Sequence, residues 1–465
     1  MKMRRALACL LLAPLAALAA NGDVDTTFGD DGIARTGYTD GHGQSACRPV
    51  VQPDRKILAC GTRTMNGASG SDFVVARFLP DGALDPSFSF DGLAEVDFDG
   101  GDGGDVAMAL ALQPDGRIVI AGVTIGADAG NSDFAIARLT GNGSLDPTFG
   151  AGSGKTTVEF DLAGGTGLDL PTSIALQPDG RIVLAGSAET LGGTSVVAVA
   201  RLLADGTRDS SFNLNGKVTF PLGIAGATEQ TDSAVGVAID EDGRVVLGTT
   251  SAYTLDGVSQ NQFGAARLLP NGLLDADFSA DGRTTIAFDP GDGTSDARCF
   301  ALALQRDGRV VLAGYAASST APNHDMAIVR LLGDGSLDPS FGFGGRTLVA
   351  FDLSPSGLDA VLGVLQLGDG RLLLVGSVLD GSSQLAAAAR LTRSGALDES
   401  FGVFGKRSYD FALALPRGQA FNGVALQGTQ IVAAGIAYVP PGGSTSVDNI
   451  LVRIEDDAIF GDDFD

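Results

Sequence analysis

Two kinds of apolar run alternate along the chain. One is a continuous stretch of Val, Ile, Leu and Ala that ends at glycine, as in "RIVIAG" from Arg117 and "RIVLAG" from Arg181. The other ends in arginine and an aliphatic residue, as in "DFAIARL" from Asp133 and "DMAIVRL" from Asp325. Runs of this length, bounded by Gly, Pro and Asp, predict strands, and their unbroken apolar character predicts sheets covered on both faces. The tetrad Gln-Pro-Asp-Gly from Gln113 and Gln177 puts Pro and Asp at the centre of a type I turn. Its glycine is free to take positive φ, so the turn joins two strands as a tight hairpin.

The pattern recurs with a period of a little over sixty residues. "LQPDGRIVIAG" from Leu112 returns from Leu176, with weaker copies from Val51, Ile239, Leu304, Leu367 and Leu426. The arginine-ended strand begins at Asp72, Asp133, Val196, Phe263, Asp325, Leu385 and Asn449. A third motif of the form Leu-Asp-x-Ser-Phe ends at Phe28, Phe88, Phe149, Phe212, Phe278, Phe341 and Phe401. Three motifs agree on seven units. Within a unit the order reads as a strand after the Phe, a variable loop, two strands around the hairpin, a second variable loop and the arginine-ended strand. This predicts a four-stranded antiparallel meander per unit. Sheets that are apolar on both sides must stack on their neighbours, and a closed circle leaves no uncovered end. The expected fold is all-β, a seven-bladed β-propeller of four-stranded blades in a closed ring, forming a single domain over residues 21–455. An open β-solenoid is the alternative, but its shorter rungs would not need a hairpin in every unit.

One segment imitates a phosphate loop. "GAGSGKTT" from Gly150 lacks the glycine that such a loop needs five positions before Gly154, where Phe149 stands. Its counterparts read "FGFGGRTLVAF" from Phe341 and "FGVFGKRSYDF" from Phe401, so it is the turn and first strand of the third unit. The combined pattern "LDPSFG", "QPDGRIVLAG", "DFAIARL" and "DGSLD" resembles the delta-60 repeat of secreted bacterial proteins across nearly the whole chain. The resemblance implies a propeller-like array and says little about chemistry.

Both termini differ from the repeats. Lys2, Arg4 and Arg5 precede "ALACLLLAPLAALAA", which predicts a secretory leader over residues 1–20, cleaved after Ala19 or Ala20. The run is too short to span a membrane and contains Pro14. Cys9 has no apolar region before it, as lipid attachment would require. The expected location is therefore secreted or periplasmic. Three of the 31 basic residues lie in this leader, leaving 28 against 56 acidic ones, a balance near −28. Such a surface repels phosphate backbones, which argues against nucleic acid as a partner. Residues 456–465, "DDAIFGDDFD", form an acidic tail.

Recurring charges read as structural. Six arginines have an aspartate eight positions on: Arg77 and Asp85, Arg138 and Asp146, Arg201 and Asp209, Arg267 and Asp275, Arg330 and Asp338, Arg390 and Asp398. A charge at the end of an apolar strand needs a partner, and the fixed offset supplies one beside the Phe wedge. Arg453 has no such aspartate, while Asp25 opens the first unit with no arginine before it, so a closed ring would pair these two. Cys47 and Cys60 flank the first hairpin symmetrically, which allows a disulfide, although a three-residue bulged loop would slip the register and part the side chains. Cys299 reads as a buried free thiol.

Alternate loops of a meander emerge at opposite ends, so one end carries the repeated turns and the other the variable loops, where ligands belong. Tyr38, His42, Tyr253, Tyr315, His324 and Tyr438 fall at or near those variable loops and are the candidate ligand-binding side chains; Tyr409 lies in a strand. Two acidic, glycine-rich segments offer oxygen ligands for calcium: Asp97, Asp99, Asp102 and Asp105 in one, and Asp289, Asp292 and Asp296 in the other. There is no Trp, and no triad or carboxylate pair stands out from the repeats. The expectation is a non-catalytic, monomeric binding scaffold for a protein or glycan, with calcium as its one candidate cofactor. The alternatives are a propeller hydrolase or lyase with a site in the central funnel, and a structural envelope protein without a small ligand.

Overall fold

The computed structural model describes residues 21–36, 47–64, 70–98, 103–125, 131–160, 162, 167–288, 295–317, 323–354, 357–411, 418–439 and 446–456. Apart from one 3₁₀ turn at Gly150–Gly152, every regular element among them is a strand. The chain begins with a short β1 (Ile33–Arg35). Then β2 (Val50–Val51), β3 (Ile57–Thr64), β4 (Ser71–Phe78) and β5 (Leu93–Val96) form an antiparallel meander. The same path is taken by β6 (Gly104–Leu112), β7 (Ile118–Ile125), β8 (Ser132–Leu139) and β9 (Lys155–Val158). It recurs in β10 (Asp169–Leu176), β11 (Ile182–Glu189), β12 (Ser195–Leu202) and β13 (Lys217–Phe220). Next come β14 (Thr228–Ile239), β15 (Val245–Leu255), β16 (Val258–Leu268) and β17 (Arg283–Ile286). They are followed by β18 (Ala297–Leu304), β19 (Val310–Ala317), β20 (His324–Leu331) and β21 (Arg346–Val349). A further meander holds β22 (Ala360–Gln366), β23 (Leu372–Asp380), β24 (Ser383–Leu391) and β25 (Lys406–Tyr409). The last strands are β26 (Gln419–Gln427), β27 (Gln430–Val439) and β28 (Ser446–Ile454).

One expectation is corrected in its boundaries. The strand after each Phe was assigned to the same sheet as the hairpin that follows it, yet it pairs backward, with the arginine-ended strand before it: β9 with β8, β13 with β12, β25 with β24. The loop between them doubles back on its own strand, as when Asp85 N–H donates to Arg77 O at 2.9 Å, which leaves the new strand no other edge to join. Each sheet therefore straddles two sequence repeats. At the chain ends the consequence is that β1 pairs with β28, Ile33 opposite Val452 and Arg35 opposite Ile450.

The first strand of each hairpin lies innermost. Successive inner strands touch, β2 with β6, then β10, β14, β18, β22 and β26, and β26 touches β2. The middle strands are buried along nearly their whole length, and the apolar clusters lie between sheets: one joins Ile182 and Leu184 to Val119 and Ile136 of the sheet before. This inter-sheet packing is why both faces of each middle strand are apolar in the sequence. The six inner strands β6, β10, β14, β18, β22 and β26 carry the same bulge, at Ala107/Ala109, Pro171/Ser173, Ala234/Gly236, Cys299/Ala301, Val361/Gly363 and Phe421/Gly423 by register. The hairpin turns and the Phe-containing loops stand at one end of the strands, and the variable loops at the other.

Candidate functional site

At the end with the repeated turns, each arginine meets an aspartate through Nε and Oδ2. The separations are 2.7 Å for Arg77 and Asp85, 2.8 Å for Arg138 and Asp146 and for Arg201 and Asp209, and 2.6 Å for Arg267 and Asp275. They are 2.8 Å for Arg330 and Asp338, 2.8 Å for Arg390 and Asp398, and 2.6 Å for Arg453 and Asp25. Each guanidinium also lies over the unit's Phe, 4.5 Å from the Phe341 ring in the case of Arg330. The same arginine reaches a carbonyl of the next unit, Arg330 Nη1 to Arg393 O at 2.6 Å. Burial works against ionisation of Asp338, but hydrogen bonds from Ser340 and the charge of Arg330 outweigh it and hold the carboxyl at about 2. The aspartate stays charged, and the cluster is a structural clamp rather than a reactive site. The cavity of about 570 Å³ at this end lies between the turns Asp240–Arg244 and Gln305–Val310. Similar grooves recur between other units, beside Arg330 and beside Arg138, so they follow from the repeat.

Cys47 and Cys60 are bonded, with their Cα atoms 5.2 Å apart. The first hairpin has a three-residue loop, since Gln52 N–H donates to Lys56 O, and Val50 stands opposite Leu58. A second irregularity before Val50 undoes that slip: Cys47 N–H donates to Cys60 O at 3.1 Å. Cys299 is free and buried.

At the variable end a second recurring device was not read from the sequence. Buried carboxylates Asp105, Asp169, Asp232 and Asp359 accept backbone N–H bonds from Phe98, Phe160, Leu222 and Phe351, at 2.6 to 2.8 Å. Gln419 does the same for Phe411 at 3.0 Å. The available signal was a polar residue seven positions before the hairpin motif's first residue, or eight in the unit whose shorter motif begins at Leu367. Burial, together with the charges of Asp325 and Asp352, pushes the Asp359 carboxyl up to about 6. Of the candidate calcium ligands, Asp97 and Asp105 converge with Asp72, their ligand oxygens within 4.8 Å of one another, a donor set that suits a hard cation. Asp99, Asp102, Asp289 and Asp292 lie outside the described residues.

Among the described residues, the scarce side chains gather around β18. His324, at the start of β20, sets Nε2 2.9 Å from Asp296 Oδ2. Asp296 also accepts a bond from Asn261 Nδ2 at 3.0 Å, and Asn261 Oδ1 accepts one from Arg298 Nε at 3.3 Å. Tyr315 stands opposite Arg298 in the β18–β19 ladder, with its ring 5.1 Å from the His324 ring at 82° and 5.7 Å from Phe300. The group is accessible, Asp296 being 48% and His324 26% exposed in their side chains. Burial raises the Tyr315 phenol's pKa, with the Arg298 charge opposing, so the phenol keeps its proton at neutral pH. Register explains the gathering: a strand-to-strand bridge links Asn261 with Asp296, which puts the edge of one sheet against the inner strand of the next.

Of the other candidate ligand-binding residues, Tyr253 is buried and its hydroxyl donates to Gln260 Oε1 at 3.2 Å, away from this cluster. Tyr438 lies in β27, but its side chain is outside the described residues, as are Tyr38, His42, residues 1–20 where a leader is expected, and residues from 457 onward. In the segment that imitates a phosphate loop, Lys155 Nζ donates to Asp97 O at 2.5 Å, a contact within the protein. Among the described residues no helix is long and apolar enough to cross a membrane.

Six segments of the chain, 52–88, 113–149, 177–212, 241–278, 305–341 and 367–401, match the family model described as a β-propeller domain of unknown function, DUF5122. The chain is thus built on β-propeller repeats. No curated protein matches the sequence. Among solved structures, a polysaccharide lyase described as PL25 ulvan lyase aligns at 10% identity over 93% of this chain and 94% of its own, with a TM-score of 0.50. The α-L-arabinofuranosidase Arb93A of Fusarium graminearum aligns at 12% identity over 93% and 98%, with a TM-score of 0.46. An α-L-arabinanase of Penicillium chrysogenum aligns at 14% identity over 72% and 90%, with a TM-score of 0.42. At these identities the likeness is one of fold. The expectation of a non-catalytic scaffold is corrected to this extent: the fold-level likeness at a TM-score of 0.50 is to an enzyme, a polysaccharide lyase.

Proposed function

We propose that this chain is a propeller enzyme of the lyase type, acting on uronate-containing polysaccharide at the β18 mouth. The observation that carries the reading is the accessible set of His324, Asp296, Tyr315 and Arg298. Elimination needs a base to take the proton from the carbon next to the uronate carboxylate, and a cation to stabilise the charge that develops on that carboxylate. It also needs an acid that protonates the leaving glycosidic oxygen as its bond to carbon breaks and a carbon–carbon double bond forms. His324, oriented by Asp296 at 2.9 Å, is the base. Tyr315, which keeps its proton, is the acid, and Arg298 meets the carboxylate. The rings of Tyr315 and Phe300 supply an apolar surface for the sugar. Hydrolysis by two carboxylates fits less well, since the buried Asp359 is engaged with Phe351 N–H.

The scaffold of the proposal is a seven-bladed closed ring, supported by the contact of β26 with β2, the pairing of β1 with β28 and the ion pair of Arg453 with Asp25. The leader over residues 1–20 supports export. The test is depolymerisation of a panel of uronate-containing polysaccharides, read by ultraviolet absorbance of the unsaturated product and by new reducing ends. His324→Ala and Tyr315→Phe are each expected to lower kcat by ~10²–10⁴ without changing the melting midpoint. Reducing ends without unsaturation would replace the lyase reading with hydrolysis. Wild-type turnover in His324→Ala would remove this site from the chemistry.

A further inference from the structure

The residue just after the bulge of each inner strand stands three positions before the first residue of the hairpin motif, or four in the unit whose shorter motif begins at Leu367. In six units it is small: Ala109, Ser173, Gly236, Ala301, Gly363 and Gly423. Small residues suit this place because inner strands approach one another closely there. A Cβ at Gly363 would stand 3.0 Å from Gly423 Cα, and one at Gly423 would stand 2.6 Å from Arg48 Cα. In the first unit the residue at this spacing is Arg48, three positions before Val51. Its Nη1 reaches Leu302 O on β18 at 3.4 Å. In the succession of inner strands β18 is not a neighbour of β2: β22 and β26 stand between them on one side, and β6, β10 and β14 on the other. The arginine therefore crosses the space that the inner strands enclose.

This guanidinium is poorly satisfied. Its bond to Leu302 O is longer than the ordinary N–H to O range, and no carboxylate among the described residues pairs with it. Arg48 keeps water-accessible surface, yet protein surrounds it, as for a side chain in an internal channel, and the loss of bulk water lowers its pKa. Cys299 is the other ionisable group that interacts with it. Burial pushes that thiol up to about 12, so it stays neutral and gives no counter-charge. The backbone at Arg48 is held on both sides, by the bonded Cys47 before it and by Pro49 after it. A cation on a restrained backbone, partly desolvated and facing an enclosed space, is a preorganised anion site.

We infer that Arg48 is an oxyanion-binding subsite in this channel, taking a carboxylate or sulfate of an acidic glycan whose neighbouring residue lies at Arg298. The inference rests on the glycan reading above and adds a second anionic contact. Arg298 and Leu302 are both on β18, four residues and thus about 13 Å apart along the strand, so the two cations read separate groups of one chain.

The test is calorimetric binding of a defined oligogalacturonate and of its neutral methyl ester, with dextran sulfate and plain dextran as the sulfate arm. Arg48→Gln is expected to weaken binding of the charged oligomer by about tenfold or more while leaving the ester unaffected. Arg48→Lys keeps the charge but not the planar fork and should show a smaller loss; it also serves if Arg48→Gln does not fold, as judged by its melting midpoint. Equal binding of the acid by wild type and Arg48→Gln, equal losses for acid and ester, or no binding of either charged oligomer by wild type would overturn the assignment. His324→Ala is expected to retain the Arg48-dependent binding. If that binding stands while no variant or wild type cleaves any polymer, the lyase reading fails and the subsite remains.

Discussion

Arg453→Ala tests how the two ends of the chain are held together. Arg453 Nε donates to Asp25 Oδ2 at 2.6 Å, Nη1 to Pro80 O at 2.9 Å and to Gln427 Oε1 at 3.2 Å, and Nη2 to Thr27 Oγ1 at 3.1 Å. Its guanidinium carbon lies 4.9 Å from the centre of the Phe28 ring. Truncation leaves Asp25, which is only 5% exposed, without its cation. Removing one partner of a buried pair costs ~3–5 kcal/mol, because the other charge stays desolvated. Burial opposes ionisation of Asp25, but hydrogen bonds from Thr27 and Arg453 prevail and lower its pKa. A depressed acid contributes stability above its unfolded value of about 3.9 and loses it as pH falls through the folded value, so the variant's deficit should shrink in acid. The assay is urea unfolding together with hydrogen exchange at β1. Arg138→Ala is the comparison, since its pair to Asp146 has similar geometry at 2.8 Å but joins residues eight apart in one continuous chain. Arg138→Ala should cost less, because Asp146 keeps Arg117 Nε at 2.8 Å, and only Arg453→Ala should speed exchange in β1 and β28. A loss under ~1 kcal/mol, as for a surface pair, with β1 exchange unchanged would refute the reasoning.

Two further outcomes follow from the variable end. Because the Asp359 pKa is raised to about 6, its contribution is present below the unfolded value of about 3.9 and is lost as pH rises through the folded value. Asp359→Asn should flatten the difference in unfolding free energy between about pH 4 and 6; an unchanged slope would mean the carboxyl is already ionised there. If Asp72, Asp97 and Asp105 gather calcium, the ion must raise the wild-type melting midpoint, and Asp97→Asn must remove most of that rise. A midpoint indifferent to calcium would leave the three carboxylates as turn chemistry.

The repeat made much of this legible. Arg330 and Asp338 could be matched from a fixed offset because both belong to one loop that doubles back on its own strand, a local geometry. Tyr315 and His324 could be singled out as scarce, but not joined to Asp296, Asn261 and Arg298, which reach the cluster from β16 and from the start of β18, across a sheet boundary. Arg48 drew no notice, because its distinction is positional: it stands where the other units have Ala, Ser or Gly, and only the bulge register exposes the equivalence. Assigning the strand after each Phe to the wrong sheet had a similar cause, since sequence order does not say which of two neighbouring edges a strand will join.

By itself the sequence determined the strands, their turns and their repetition, because apolar runs, Asp-Gly turns and the spacing of charges act within a few residues. The tertiary structure decided which edges pair, which residues meet around β18 and which side chain reaches an inner strand that is not its neighbour. Those outcomes depend on contacts between residues tens to hundreds of positions apart, as with Arg48 and Leu302, and no local preference encodes them.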